Sequence, residues 1–184
     1  DVCSSDLLSF THCDVSREAD VESAMKSTMT RQSRIDLLIN NAGFALSGAA
    51  EESSVGQVRS LFDTNFLGVV RVTNAVLPIM RAQGHGRIVN TTSNAGFAGN
   101  ETLAHYGAAK LGIVGMAKTL YLEGAKNNIR VNTLAPTAAT RMLDGLFPEQ
   151  IAALMAPELV TPGVLYLVSE NAPSKLGSTA LVTA

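Results

Sequence analysis

Short apolar runs alternate with longer stretches in which apolar residues recur at helical spacing. The runs "IDLLIN" (35–40), "GRIVNTTS" (86–93), "IRVNTLAP" (129–136) and "STALVTA" (178–184) are brief and rich in Ile, Leu, Val and Thr. Such runs predict strands buried on both faces, as in a parallel sheet. Between them lie helical patterns. Ser16 is expected to N-cap the first helix, with Glu18 and Asp20 near the positive end of its dipole. A second helix is predicted over about 54–82, where Val58, Leu61, Phe62, Phe66, Val69, Val72, Val76 and Met80 form a wide inward stripe. Pro78 is expected to kink or loosen its last turn. A third helix is predicted over about 103–126 and a fourth over about 161–170. Strands and helices alternating in this way predict one α/β domain with a parallel sheet and right-handed crossovers.

Composition narrows this reading. The 184 residues, 46% of them hydrophobic, fit one domain with a substantial core. Aromatic residues are few and Trp is absent, which favours closely packed helices on a sheet. A net charge of −2 gives neither a basic footprint for nucleic acid nor a polybasic membrane patch. No apolar run approaches the roughly 20 residues of a membrane span, and residues 1–10 do not read as a secretory signal, so the expected location is the cytoplasm. Cys3 and Cys13 could form one disulfide at most. Neither has the paired spacing of a zinc site, and no metal is expected.

In open parallel sheets, ligands bind beyond the carboxyl ends of the strands. Asp14 follows the apolar stretch "LLSFTHC", "NAG" follows "DLLIN", Ser93 follows "GRIVNTT", and "PTAATRM" follows "VNTLA". Polar or small residues therefore converge on one crevice. Read blandly, these are turn residues, chosen for backbone reasons. The segment "HYGAAKLGIVGMAK" favours the sharper reading. Tyr106 and Lys110 lie four residues apart, on one helix face and one turn from each other. A phenol with a pKa of about 10 is a poor catalyst at neutral pH, but a neighbouring ammonium favours the phenolate. The pair is thus a candidate proton donor and acceptor for a carbonyl/alcohol couple. A surface Tyr beside a solvated Lys would show the same spacing. Ser93 offers a hydroxyl to hold a substrate oxygen, and Asn65 falls on the apolar stripe of the second helix, where a buried amide needs partners. Core water could satisfy that amide, or the amide could relay protons through water to Lys110.

Taken together, "CDV" (13–15), "NNAG" (40–43), Asn65 in "DTNFLG", Ser93 in "TTSNAG", "YGAAK" (106–110) and "RVNTLAP" (130–136) resemble the short-chain dehydrogenase/reductase superfamily in order, spacing and residue type. The resemblance runs from about Leu8 onward and implies a Rossmann-like doubly wound parallel sheet. It implies Tyr106 as general acid/base and Ser93 as the group that orients the substrate oxygen. Lys110 would lower the Tyr106 pKa and bond the nicotinamide ribose, and Asn65 would hold the water of a proton relay. Asp14 and Val15 would border the adenine; Asn41, Ala42 and Gly43 would line the cofactor through their backbone. Pro136 and Thr137 would flank the nicotinamide, and Thr140 would contact its carboxamide. The implied cofactor is NAD or NADP and the implied reaction is reversible hydride transfer with an alcohol. Pro-Thr stands where the family usually has Pro-Gly. The short "APTAATRM" form resembles the 3-hydroxyacyl-CoA dehydrogenase part of peroxisomal multifunctional enzymes and their bacterial relatives, whereas "NNAGFALSGAAEES" resembles general hydroxysteroid or ketoreductase members. Residues 141–157 would form a substrate lid, and Leu143, Leu146, Phe147, Ile151 and Leu154 favour an apolar or acyl substrate or simply lid packing.

The glycines nowhere form the Gly-rich strand-to-helix turn that lets a backbone approach a pyrophosphate. With a family strand order of 3-2-1-4-5-6-7, residues 7–13 would be strand 3, and strands 1 and 2 are not in this sequence. That would leave sheet edges without partners. The stretch "DVCSSDL" (1–7) fits no element and reads like a translated adapter, so it is expected to be a non-native leader. Two hypotheses follow. One is an oxidoreductase recorded incompletely and inactive in this form, a homodimer or homotetramer at full length. The other is a noncatalytic interaction module that associates through helices 54–82 and 103–126.

Overall fold

The computed structural model describes residues 8–140, 148–172 and, for the backbone, 179–183. The leader expected over 1–7 and the lid residues Leu143, Leu146 and Phe147 lie outside the described residues. Four parallel strands, β1 (Leu37–Asn40), β2 (Gly86–Thr91), β3 (Ile129–Thr137) and β4 (Thr179–Thr183), stand side by side in chain order. The helices between them are α1 (Glu18–Gln32), α2 (Val55–Phe62), α3 (Gly68–Gln83), a short α4 (Asn94–Phe97), α5 (Ala104–Gly124), α6 (Glu149–Ala153) and α7 (Thr161–Val168). A main core forms where Val76, Leu77 and Met80 of α3 and Ala117 of α5 meet Ile88, Ile129 and Val131 of the sheet. On the opposite face, Leu167 of α7 packs on Val89 and Leu134. Helices on both faces make this the doubly wound α/β arrangement that the alternation predicts.

Four expectations need correction. The stretch 8–13 forms no strand; Leu8 and Phe10 are exposed, because among the described residues no strand lies beside them to complete a hydrogen-bond ladder. β1 is not buried on both faces. Leu38 and Asn40 point toward α3, whereas Leu37 and Ile39 are 39% and 45% exposed, with nothing described packing over them. Ser16 does not cap α1. Its backbone N–H and hydroxyl donate to Asp14 Oδ1 at 2.9 and 2.7 Å, and Arg17 takes the cap position without a side-chain bond. Finally, the long second helix is interrupted. Between α2 and α3 the chain makes a π-turn over Asp63–Leu67, closed by Gly68 N–H donating to Asp63 O. π-bulges of this kind recur at functional sites. Beyond the interruption, α3 continues past Pro78 to Gln83.

Candidate active site

The carboxyl end of β2 builds the centre of the site. Its last residues run into Thr92 and Ser93, and Ser93 then N-caps α4 by accepting from Ala95 N–H at 3.2 Å. This cap turns the chain so that α4 lies against α5. The approach is close: a methyl on Gly107 would come within 2.8 Å of the Ala95 carbonyl oxygen, and one on Gly96 within 3.2 Å of the Gly107 carbonyl oxygen. Only residues without a side chain permit that backbone contact. It brings Ser93 alongside the first turn of α5, where Tyr106 packs against Leu61, Ala95 and Ala109.

Tyr106 is 8% exposed and Lys110 is 3% exposed. Burial pushes the phenol above its ordinary pKa, and the neighbouring Ser93 hydroxyl pulls in the opposite direction without cancelling it. The net shift is opposite to the one that the Tyr–Lys spacing predicts. Lys110 lies with Nζ 5.7 Å from the Tyr106 ring centroid and donates to Thr91 O at 2.9 Å. Burial lowers its own pKa to about 8.

Asn65 lies in the π-turn and is fully buried. Its amide pairs with the backbone of Phe44. Oδ1 accepts from Phe44 N–H at 3.0 Å and Nδ2 donates to Phe44 O at 2.7 Å, a reciprocal pair that secures the loop after β1. Gly43, just before it, sits against both groups: a methyl there would come within 2.9 Å of Asn65 Oδ1 and 3.4 Å of Lys110 Nζ. Asn65, Gly43 and Lys110 are thus next to one another, although 67 residues separate the outermost two.

A second group of predicted residues gathers beside β1. Val15, Asn41 and Ala42 line a cavity of about 140 Å³ together with Cys13, Thr64 and Gly68. Val15 is seated by Gly68, where a methyl would come within 2.7 Å of Val15 Cγ2. Arg71 donates to Val15 O at 3.3 Å and pairs with Asp63 at 2.6 Å, joining this segment to the π-turn. Asp14 is exposed, and its bonds from Ser16 hold its carboxyl below the usual range. Thr91 Oγ1 donates to Asn41 Oδ1 at 2.9 Å, connecting the cavity wall to the end of β2. Pro136 and Thr137 end β3, and Thr140 is exposed just beyond it. Ala139 N–H donates to Met155 O at 2.7 Å, tying that loop to the end of α6, where Ile151 of the helix and Leu154 just after it are exposed. A larger concavity of about 550 Å³, lined by Arg81, Leu122, Glu123, Lys126 and Asn127, lies at the far ends of α3 and α5 and contains none of these groups.

Sequence reasoning overlooked the residues that hold the site together. Asn40 Nδ2 donates to Asn90 Oδ1 at 2.8 Å and to Thr73 Oγ1 at 3.1 Å, a buried polar bridge between β1, β2 and α3. Thr91, Thr92, Gly107 and the backbone of Phe44 were equally silent. The available signal was position, since Thr91 and Thr92 immediately precede Ser93 at a strand end.

Comparisons with known proteins identify the family. The family model described as short chain dehydrogenase matches residues 3–150. The peroxisomal hydratase-dehydrogenase-epimerase of Saccharomyces cerevisiae is 41% identical over 150 residues, covering 82% of this chain and 17% of that protein. An acetoacetyl-CoA reductase of Acinetobacter is 34% identical over 180 residues, covering 92% of this chain and 73% of the relative. A crystal structure described as a short-chain dehydrogenase/reductase from Burkholderia xenovorans superposes with a TM-score of 0.84 at 29% identity, covering 92% of this chain and 70% of that one. The chain thus spans about a sixth of the yeast protein and about three quarters of the reductase. Family model, sequence relatives and fold all converge, and the chain belongs to the short-chain dehydrogenase family.

Proposed function

We propose that this chain carries the catalytic groups of an NAD(P)-dependent oxidoreductase that interconverts an alcohol and a ketone, with a 3-hydroxyacyl thioester as the substrate class. The observation that carries the proposal is the grouping of Ser93, Tyr106 and Lys110, a hydroxyl beside a buried phenol with a buried ammonium one turn further on. During alcohol oxidation, Ser93 Oγ holds the substrate oxygen beside Tyr106 Oη, and the phenolate form of Tyr106 takes the hydroxyl proton. The Lys110 ammonium stabilises that phenolate; with a pKa of about 8 it is largely charged at neutral pH. Ketone reduction runs the same proton the other way.

The residues present fit NAD(P) on its nicotinamide and adenine sides. Asn41, Ala42 and Gly43 offer exposed backbone, and the adjoining cavity provides an apolar wall in Val15. Pro136, Thr137 and Thr140 would hold the nicotinamide, Tyr106 and Lys110 its ribose, and Asp14 and Val15 the adenine. When bound, the nucleotide supplies the hydride acceptor or donor. Asn65 keeps one N–H and one lone pair after bonding Phe44, enough to hold a relay water beside Lys110.

Support for the thioester comes from the acetoacetyl-CoA reductase and from exposed Ile151 and Leu154 beside the loop that follows β3. The test is turnover, by the intact gene product, of a short 3-hydroxyacyl-CoA and of a simple secondary alcohol with NAD+ and with NADP+. The thioester should give the higher kcat/KM; no oxidation of either alcohol with either nucleotide would refute the reading.

Leu111 and Leu122 of α5 and Leu67 of the π-turn are exposed. Their exposure supports association through these helices as a homodimer or homotetramer, and it is also what a noncatalytic interaction module would show. No helix among the described residues is long and apolar enough to cross a membrane. A cytoplasmic location remains part of the proposal; the yeast relative is named as peroxisomal, and fractionation would separate the two.

A further inference from the structure

Two consecutive residues at the end of β2 grip α5. Thr91 O accepts the Lys110 ammonium at 2.9 Å and Thr92 Oγ1 donates to the main-chain carbonyl of Lys110 at 2.6 Å, and the next residue, Ser93, neighbours the Tyr106 phenol. The Thr92 contact is unusual. A carbonyl inside a long helix already accepts an N–H from the next turn, so Lys110 O needs no second donor. Thr92 is 2% exposed, and its own N–H is committed to Leu134 O of β3 at 2.7 Å. The residue is therefore fixed to the sheet through its backbone and to α5 through its hydroxyl.

We propose that Thr92 is a positioning residue whose hydroxyl sets the offset between α5 and the end of β2, and thereby the alignment of Tyr106 and Lys110 on Ser93. Lys110 is held at both ends, by its carbonyl on Thr92 and by its ammonium on Thr91. Release of the first contact lets α5 shift along the strand end. A shift well under 1 Å is enough to misalign a proton-transfer geometry, because rate depends steeply on the placement of reacting groups. Ser93, which holds the substrate oxygen, stays fixed at the end of the strand, so substrate binding is expected to change far less than turnover.

The inference rests on the oxidoreductase reading for its kinetic consequence but not for its structural one. Thr92→Val keeps the shape and removes the hydroxyl; Thr92→Ser keeps the hydroxyl and removes the methyl. Thr92→Val is expected to lower kcat about tenfold with KM for the alcohol unchanged, and Thr92→Ser to restore it. In isotope-edited NMR of the lysine side chains, Lys110 should titrate higher in Thr92→Val than in wild type, as its ammonium relaxes toward solvent, and at the wild-type position in Thr92→Ser. Wild-type kinetics and titration in Thr92→Val would overturn the proposal. So would Thr92→Ser behaving like Thr92→Val, since the methyl would then be what matters. If the Val variant does not fold, the Ser variant is compared with Thr92→Ala on the same two readouts. The titration requires no turnover, so a wild-type protein without alcohol oxidation would count against the oxidoreductase reading while Lys110 still decides the clamp.

Discussion

Lys110 and Tyr106 stand one turn apart on α5, with the ammonium 5.7 Å from the ring centroid, and burial drives both toward their uncharged forms. For Lys110 the shift from 10.5 to about 8 amounts to about 3 kcal/mol against the folded state at neutral pH. Its folded pKa lies below the unfolded one, so the unfolded chain binds more protons between about 8 and 10.5. Stability should therefore rise with pH across that window. Tyr106 acts in the other direction: its contribution is present below its unfolded pKa of 10.0 and is lost as pH climbs through its raised folded value. Replacing Lys110 with Met should raise neutral-pH stability by up to about 3 kcal/mol and remove the rise above pH 8. Urea melts at neutral pH and near pH 10 would show this; equal stabilities of the two proteins at neutral pH would count against a buried charged Lys110.

Asn65 should matter to stability before it matters to chemistry. Asn65→Leu deletes both bonds to Phe44 and leaves its part-buried N–H and C=O without these partners, at an expected cost of about 1–3 kcal/mol. Amide exchange at Phe44 should accelerate in the variant relative to the core of α5. Unchanged exchange there would mean that the loop after β1 is held by something else.

Gly107→Ala places a methyl within 2.8 Å of the Ala95 carbonyl, an atom of the backbone that cannot swing aside. The expected outcome is a loss of about 1–3 kcal/mol and displacement of α4 with its cap residue Ser93. Gly115→Ala, where a methyl meets nothing within 4 Å, is the control on the same helix and should be neutral or slightly stabilising.

Arg71 holds the strip of chain that carries Val15 while standing away from Tyr106. Arg71→Met should raise KM for the nucleotide several-fold and leave kcat at saturating nucleotide near wild type. A fall in kcat with unchanged KM would assign Arg71 to the chemistry instead.

The sheet was readable because its four strands carry short runs rich in Ile, Leu, Val and Thr, and each is found within two residues of the place where the pattern puts it. Ser93, Tyr106 and Lys110 were readable for a similar reason, since helical spacing and strand ends are local properties. The π-turn was not, because an inserted residue leaves the apolar stripe of 58–80 looking continuous; only the amide of Asn65 among Leu61, Phe62 and Phe66 pointed to something unusual. Nor could spacing give the direction of the Tyr106 shift, which depends on how deeply α4 and α2 bury the ring. Residues 8–13 show the limit from the other side: an apolar run reads as a strand, but a strand exists only beside another.

The central claim is that Tyr106 Oη carries the substrate proton, and Tyr106→Phe tests it most directly because it removes one oxygen atom from a ring that stays packed against Leu61, Ala95 and Ala109. Alcohol oxidation should fall by at least about 100-fold in kcat, the range of general acid–base catalysis, while the thermal midpoint and nucleotide binding stay close to wild type. Undiminished alcohol oxidation by a folded Tyr106→Phe protein would contradict the account.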